Sequence, residues 1–225
     1  ALNKAKAGDQ IWVKGFEQIT SADQLYITPD VGGFRLNSGV QLYGGFKGED
    51  ETETVDSREI LEKPYQLKYR SVLSGDMGMN DVVDNSNLIF PENGTRLDNA
   101  SHVMSVNMAP SSGNNINRTI TVINGLSIGG GNADGEGEKG GGIYIYGDNT
   151  IGGSFRIERC FLINNYATQG GAIYVDGSAL SNGTSLVNQC VVYNNAAGKR
   201  AGIENAGGGI YIAGVATVVN SSIFN

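Results

Sequence analysis

GGGIYIYG at 140–147, GGAIYVDG at 170–177 and GGGIYIAG at 207–214 are three copies of one motif. Each is trailed by a second repeat: SFRIERCFLINN at 154–165, TSLVNQCVVYNN at 184–195 and VATVVNSSIFN at 215–225. Cys160, Cys190 and Ser221 hold matching positions 30 and 31 residues apart, whereas Ile143, Ile173 and Ile210 are 30 and 37 apart. The surplus falls in KRAGIEN, 199–205, so an insertion there leaves the underlying period intact. A period near thirty, built from short aliphatic alternations and Gly/Asn corners without helical spacing, predicts the coils of a parallel β-solenoid. The consensus residues of leucine-rich, ankyrin and TPR repeats are absent.

The alternation assigns faces. Ile143/Ile145, Ile173/Val175 and Ile210/Ile212 are aliphatic in every copy and point inward; Tyr144, Tyr174 and Tyr211, one residue out of phase, point outward one above the next. Ile157/Leu162, Val187/Val192 and Val218/Ile223 likewise read as core. Asn165 and Asn195 fall at a corner where amide side chains stack as a hydrogen-bonded ladder. Cys160 and Cys190 lie on neighbouring coils roughly 4.8 Å apart. That separation admits a disulfide, but stacked in-register cysteines in a solenoid are more often small buried hydrophobes, so the redox compartment stays open.

Upstream, DQIWVKG, QLYITPD and GGFRLNSGVQLYGGF read as strands, with Ile11/Val13, Leu25/Ile27, Phe34/Leu36 and Val40/Leu42 on one face. The charged stretch from Lys47 to Arg70 cannot bury itself and is an excursion loop, with a helical turn expected around Ser57 to Lys63. SVLSGD at 71–76 returns to strand, and a polar segment from Met77 to about Ala100 forms another lateral loop. HVMSVNM at 102–108 and RTITVINGLSIGG at 118–130 resume the coils, with a third loop near 109–117. Residues 1–7 read as the last turns of a capping helix ending at Gly8, and both ends read as cut from a longer protein. The whole is one all-β domain over 1–225, about six or seven coils: irregular with long loops over 8–130, regular over 131–225.

With 225 residues and 40% apolar content the chain can bury a core, and thirty-four glycines beside four prolines indicate tight corners rather than linkers. A net charge of −7 and the lack of a basic patch argue against nucleic acid. No apolar run reaches membrane-spanning length.

The GG[AG]I-Y and C-x-x-x-N repeats resemble the right-handed parallel β-helix of the pectin-lyase-like superfamily, particularly the short repeats of polymorphic outer-membrane and autotransporter adhesins. ALNKAKAGDQIWVKG, SGVQLYGGFKG and SVLSGD are similar to the opening of β-helix surface proteins common in Bacteroidetes, where a capping helix precedes the first coil. The resemblance spans nearly the whole chain. It implies a bacterial protein that is secreted or exposed on the outer cell surface. It does not select an activity, because this scaffold carries lyases, hydrolases and adhesins alike.

Three readings compete. The first is a non-catalytic, adhesin-like protein contacting an extracellular glycan or a cell-surface protein. Its candidate ligand-binding residues are Tyr144, Tyr174 and Tyr211 as stacking faces, with Tyr146, Asp148 and Asp176 as flanking hydrogen-bonding groups; the same aromatics also read as a column stacked for sheet stability. The second is a polysaccharide lyase or glycoside hydrolase, which needs acids on successive outer positions. Here Asp176 aligns with Tyr146 and Ala213, and Arg156/Glu158 with Leu186/Asn188 and Thr217/Val219, so no acid repeats and no catalytic residue is assigned. Arg159, Arg200 and Glu204 are isolated charges. The third is an architectural stalk, with end-on self-association through uncovered strand edges.

No cofactor is called for. Asp134, Glu136 and Glu138 offer oxygen ligands for Ca²⁺ but match neither an EF-hand nor the nonapeptide repeat. His102 has no second ligand at metal spacing and reads as structural. The glycine runs at 129–131 and 140–142 lack the residues of a phosphate-binding loop and are corners.

Overall fold

Ile143, Ile173 and Ile210 are in-register partners on adjacent parallel strands, and so are Tyr144, Tyr174 and Tyr211. The phase read from the repeats is therefore the phase of the structure. The computed structural model describes residues 2–49, 52–61, 66–82, 95–109, 120–135, 138–147, 153–179, 185–198 and 207–224.

The described strands form four sheets, each stacked in parallel. The first contains Gln10–Lys14, Gln41–Phe46, Thr121–Asn124, Phe155–Glu158, Leu186–Asn188 and Thr217–Val219. The second contains Phe34–Asn37, Met104–Asn107, Ile143–Tyr146, Ile173–Val175 and Ile210–Ile212. The third contains Tyr26–Ile27, Ser71–Ser74, Leu126–Gly129, Phe161–Ile163, Val191–Tyr193 and Ser222–Phe224. The fourth is short: Asn132–Ala133, Tyr166–Ala167 and Ala196–Ala197. The chain visits second, first, third and fourth sheets in rotation, returning one rung along; this nearly all-β arrangement is compatible with a parallel β-helix.

Each rotation carries its inward residues into one column. Leu42, Ile123, Ile157, Val187 and Val218 stack on the first sheet, and Leu73, Ile128, Leu162, Val192 and Ile223 on the third. With Val106, Ile145 and Val175 of the second sheet, most of these residues make one continuous core. Cys160 and Cys190 are buried in it as free thiols, packed as small hydrophobes.

Corners repeat as faithfully as strands. Gly125, Arg159, Gln189 and Asn220 take left-handed backbone at the turn into the third sheet, and Gly130, Asn164 and Asn194 at its exit. One residue on, Asn165 and Asn195 are buried, and the predicted amide ladder is present: Asn165 Nδ2 donates to Asn195 Oδ1 at 3.0 Å and to the Ile128 carbonyl at 3.1 Å.

Two local expectations are corrected. Residues 1–7 are not the end of an α-helix: Leu2–Lys4 is a single 3₁₀ turn, and Leu2 and Ala5 pack against the core. Nor is there a helical turn across 57–63 in the described residues: Thr54 and Ser57 close a turn, and Ile60 then pairs antiparallel with Leu67; residues 62–65 lie outside the described residues. Arg58 decides that geometry. Its buried guanidinium donates to the Gly44 carbonyl at 2.6 Å, the Val55 carbonyl at 2.7 Å and Asn124 Oδ1 at 3.0 Å, pinning the excursion onto the first sheet.

Candidate functional site

The third sheet is apolar on both faces. The residues flanking its inward column point outward: Val72, Ser127, Phe161 and Val191 form one outer file, and Ser74, Gly129, Ile163, Tyr193 and Phe224 the other. Over its first rungs this face is covered. Ile19 and Leu25 pack onto Val72 and Ile163, with Phe16, Ile27 and Phe161 alongside.

Beyond that cover lies an open groove of about 390 Å³. Phe161, Ile163, Val191, Tyr193 and Phe224 line it from three successive rungs, and Gln66, Leu67, Tyr69 and Arg70 of the excursion loop border it. Tyr193 is 36% exposed and Phe224 52%, their ring centroids 5.0 Å apart. Backbone bonds of 3.0 and 2.9 Å between Phe16 and Arg70 fix the wall to the covering segment.

The groove's ionisable lining is basic and phenolic. Arg70 and Arg159 contribute guanidinium groups, and among the described residues no Asp or Glu lines it. Burial lowers the Arg70 pKa from its ordinary value, though an arginine stays protonated at physiological pH. Arg159 leaves the left-handed corner with Nε donating to Gln189 Oε1 at 3.3 Å.

The tyrosine ladder lies on the second sheet. Tyr174 and Tyr211 stack at 5.0 Å with an interplanar angle of 1°, Tyr144 stands 5.9 Å from Tyr174 and 5.2 Å from Tyr146, and His102 extends the column by stacking on Tyr144 at 5.0 Å. Tyr174 is only 4% exposed. Lys139 lies 4.7 Å from its ring centroid and donates to its hydroxyl at 2.9 Å, which raises the lysine pKa. Tyr174 therefore presents no open face, while Tyr144, Tyr146 and Tyr211 are half-buried. Asp176 is half-buried beside the ladder, and Asp148 lies outside the described residues.

His102 is held structurally. Its Nδ1 stands 3.0 Å from the Gly140 carbonyl, so that nitrogen carries the proton, and burial pushes its pKa below the usual histidine range. Asp134 is exposed and Glu138 half-buried, while Glu136, Arg200 and Glu204 fall outside the described residues. Among the described residues no three His, Cys, Asp or Glu side chains converge as metal ligands. Asp81 is buried with acceptors turned to Thr95 Oγ1 at 2.5 Å and Asn99 Nδ2 at 2.9 Å, and burial raises its pKa. These bonds close the second excursion on itself, and Asn99 Nδ2 ties it to the coils by donating to the Gly130 carbonyl at 2.7 Å.

No family model, curated protein or solved structure matches this chain. Function is thus argued from the site. The groove residues Phe161, Val191, Tyr193 and Phe224 were absent from the sequence-based candidates, although a signal existed: CFLIN and CVVYN are apolar on both sides of the core residue, and SSIFN on one, as in strands covered on both faces. No helix among the described residues is long and apolar enough to cross a membrane.

Proposed function

We propose that the chain is part of a right-handed parallel β-helix of the pectin-lyase-like type, belonging to a secreted or surface-exposed bacterial protein that is adhesin-like and contacts glycan without catalysis. The groove on the third sheet carries this reading. Its aromatic and aliphatic floor is built from successive rungs roughly 4.8 Å apart, offering repeated apolar platforms to the C–H faces of sugar rings. Gln66, Tyr69 and Tyr193 supply polar groups at its border. Acid/base hydrolysis requires paired carboxylates, and none lines the groove among the described residues.

Tyr193 and Phe224 take the role first considered for Tyr174. A glycan array on the purified chain tests the reading, with Tyr193→Ala and Tyr174→Phe as paired variants. Binding that drops about tenfold or more in Tyr193→Ala and persists in Tyr174→Phe supports it. An array with no hits, or a Tyr193→Ala variant that binds as the parent does, counts against it.

A further inference from the structure

A β-bulge sets an aromatic pair on the outer face of the first sheet. Trp12 pairs with Tyr43 but Lys14 with Phe46, so Val13 alone stands opposite both Gly44 and Gly45. Ile11 and Val13 pack against the core, which puts Trp12 between them on the outer side. The extra residue shifts the alternation and brings Phe46 to that side too, with Gly45 supplying the left-handed backbone at φ 90°. The two rings stack at 4.6 Å with an interplanar angle of 6°. Behind Phe46 lies the buried Arg58 guanidinium, 5.4 Å from its ring centroid. Phe46 is therefore closed off at 2% exposure, whereas Trp12 is 46% exposed. Phe46 takes one face of the indole and leaves the opposite face to solvent.

The polar groups that hold this indole are neutral and bonded to one another. Trp12 Nε1 donates to Gln10 Oε1 at 3.3 Å, Gln10 Nε2 to Gln41 Oε1 at 3.2 Å, and the Tyr43 hydroxyl to the same Gln41 oxygen at 3.0 Å. This chain of bonds fixes the ring plane and the amides before any ligand arrives, which lowers the ordering cost of binding. Gln41 Nε2 keeps both its hydrogens uncommitted among the described residues. Single exposed hydrophobes are ordinary on a protein surface. A tryptophan propped from behind, braced through its N–H and flanked by an unspent amide is instead a prepared platform.

We infer that Trp12 is the centre of a saccharide site on the first sheet, separate from the groove on the third: a neutral hexopyranose lays its C–H face on the indole, and Gln41 Nε2 donates to its hydroxyls. The ligand is neutral because the groups that meet it are amides and a phenol, which offer no charge to pair with a carboxylate or an ammonium. Sugars with equatorial hydroxyls fit best, since an axial hydroxyl interrupts the apolar face. Chains of β-1,4-linked glucose present such faces. The inference stands whether or not the groove binds glycan.

The chain has no other tryptophan, so the indole reports on its own site. Titrating the full chain with the hexamer of β-1,4-linked glucose is expected to change tryptophan emission saturably, and the change should persist in Tyr193→Ala, which disables the groove. By calorimetry Trp12→Ala is expected to bind about tenfold or more weakly, and Gln41→Ala about threefold or more weakly. Gln41→Ala leaves the Trp12 and Phe46 stack in place, so it carries the test if Trp12→Ala melts early. Emission that responds in the parent and in Tyr193→Ala, with weaker binding in Gln41→Ala, supports the inference. Binding without any change in emission, binding lost in Tyr193→Ala, or a folded Trp12→Ala or Gln41→Ala variant that binds as the parent does overturns it and leaves the groove reading standing. No binding of the hexamer also overturns it, while the groove reading is decided separately by the array and its own pair of variants.

Discussion

Asn195 Oδ1 accepts both the backbone N–H and the side-chain Nδ2 of Asn165, each at 3.0 Å, so one oxygen satisfies two buried donors of the rung beside it. Asn195 Nδ2 in turn donates to the Leu162 and Tyr193 carbonyls at 2.7 and 2.9 Å. Asn195→Ala leaves all four groups without that partner. Unmet buried polar groups cost about 1–3 kcal/mol each before relaxation and water entry, so a loss of about 3 kcal/mol is expected in urea unfolding. Asn195→Asp should be no milder, because it replaces a donor facing two carbonyls with a charge.

The paired glycines before the second sheet differ in what surrounds them. A Cβ on Gly171 would lie 2.4 Å from the Gly208 carbonyl oxygen and 2.5 Å from that of Ala196. Gly208 holds the same motif position, but its nearest atom would be at 3.7 Å. Gly171→Ala is expected to cost about 3 kcal/mol or more and Gly208→Ala about 0.5 kcal/mol or less, a contrast that melting of the two variants will resolve.

Arg58→Met removes the donors that hold the 47–70 excursion while keeping an unbranched apolar stem near Tyr43 and Phe46. The expected loss is about 2 kcal/mol. Limited proteolysis should find earlier cleavage in the excursion than in the parent. Arg58→Lys should recover little, since a single ammonium does not reproduce the forked donation to Gly44, Val55 and Asn124.

Acid should weaken the fold through His102. Its folded pKa lies below that of the unfolded chain, so the unfolded state binds the extra proton. The stabilisation is present above the ordinary histidine range and is lost as pH falls through it toward the folded value. Glu138 opposes the shift, and Tyr144 and the Gly140 carbonyl are the other groups against the ring. Asp81 acts with the opposite slope: its raised folded pKa makes protonation favour the native state as pH falls toward the usual carboxylate range. His102→Phe keeps a ring on Tyr144 and should flatten the change in melting temperature between about pH 7 and 5.

The parts of the fold legible in the sequence are those that repeat. Ile143, Tyr144 and Asn165 each have a counterpart thirty residues on, and their register and the amide ladder follow from that period. Two features were hidden for different reasons. The capping segment was over-read because Ala and Lys favour helix, whereas Leu2 and Ala5 settle on the core after one 3₁₀ turn. The groove depends on the loop around Gln66 to Arg70 meeting strands far along the chain, a contact that no local pattern encodes. Outward tyrosines were visible, but their accessibility was not, since Lys139 reaches Tyr174 from another rung.

The corners at Gly125, Arg159, Gln189 and Asn220 share one backbone conformation yet carry four different side chains. Shape and chemistry are thereby uncoupled at this edge of the molecule. The edge works as a keyboard: each rung sets one side chain on the same backbone perch, so the chemistry along this edge changes by point substitution with little alteration of the scaffold. Duplicating a rung would lengthen this edge by one step and add one more key.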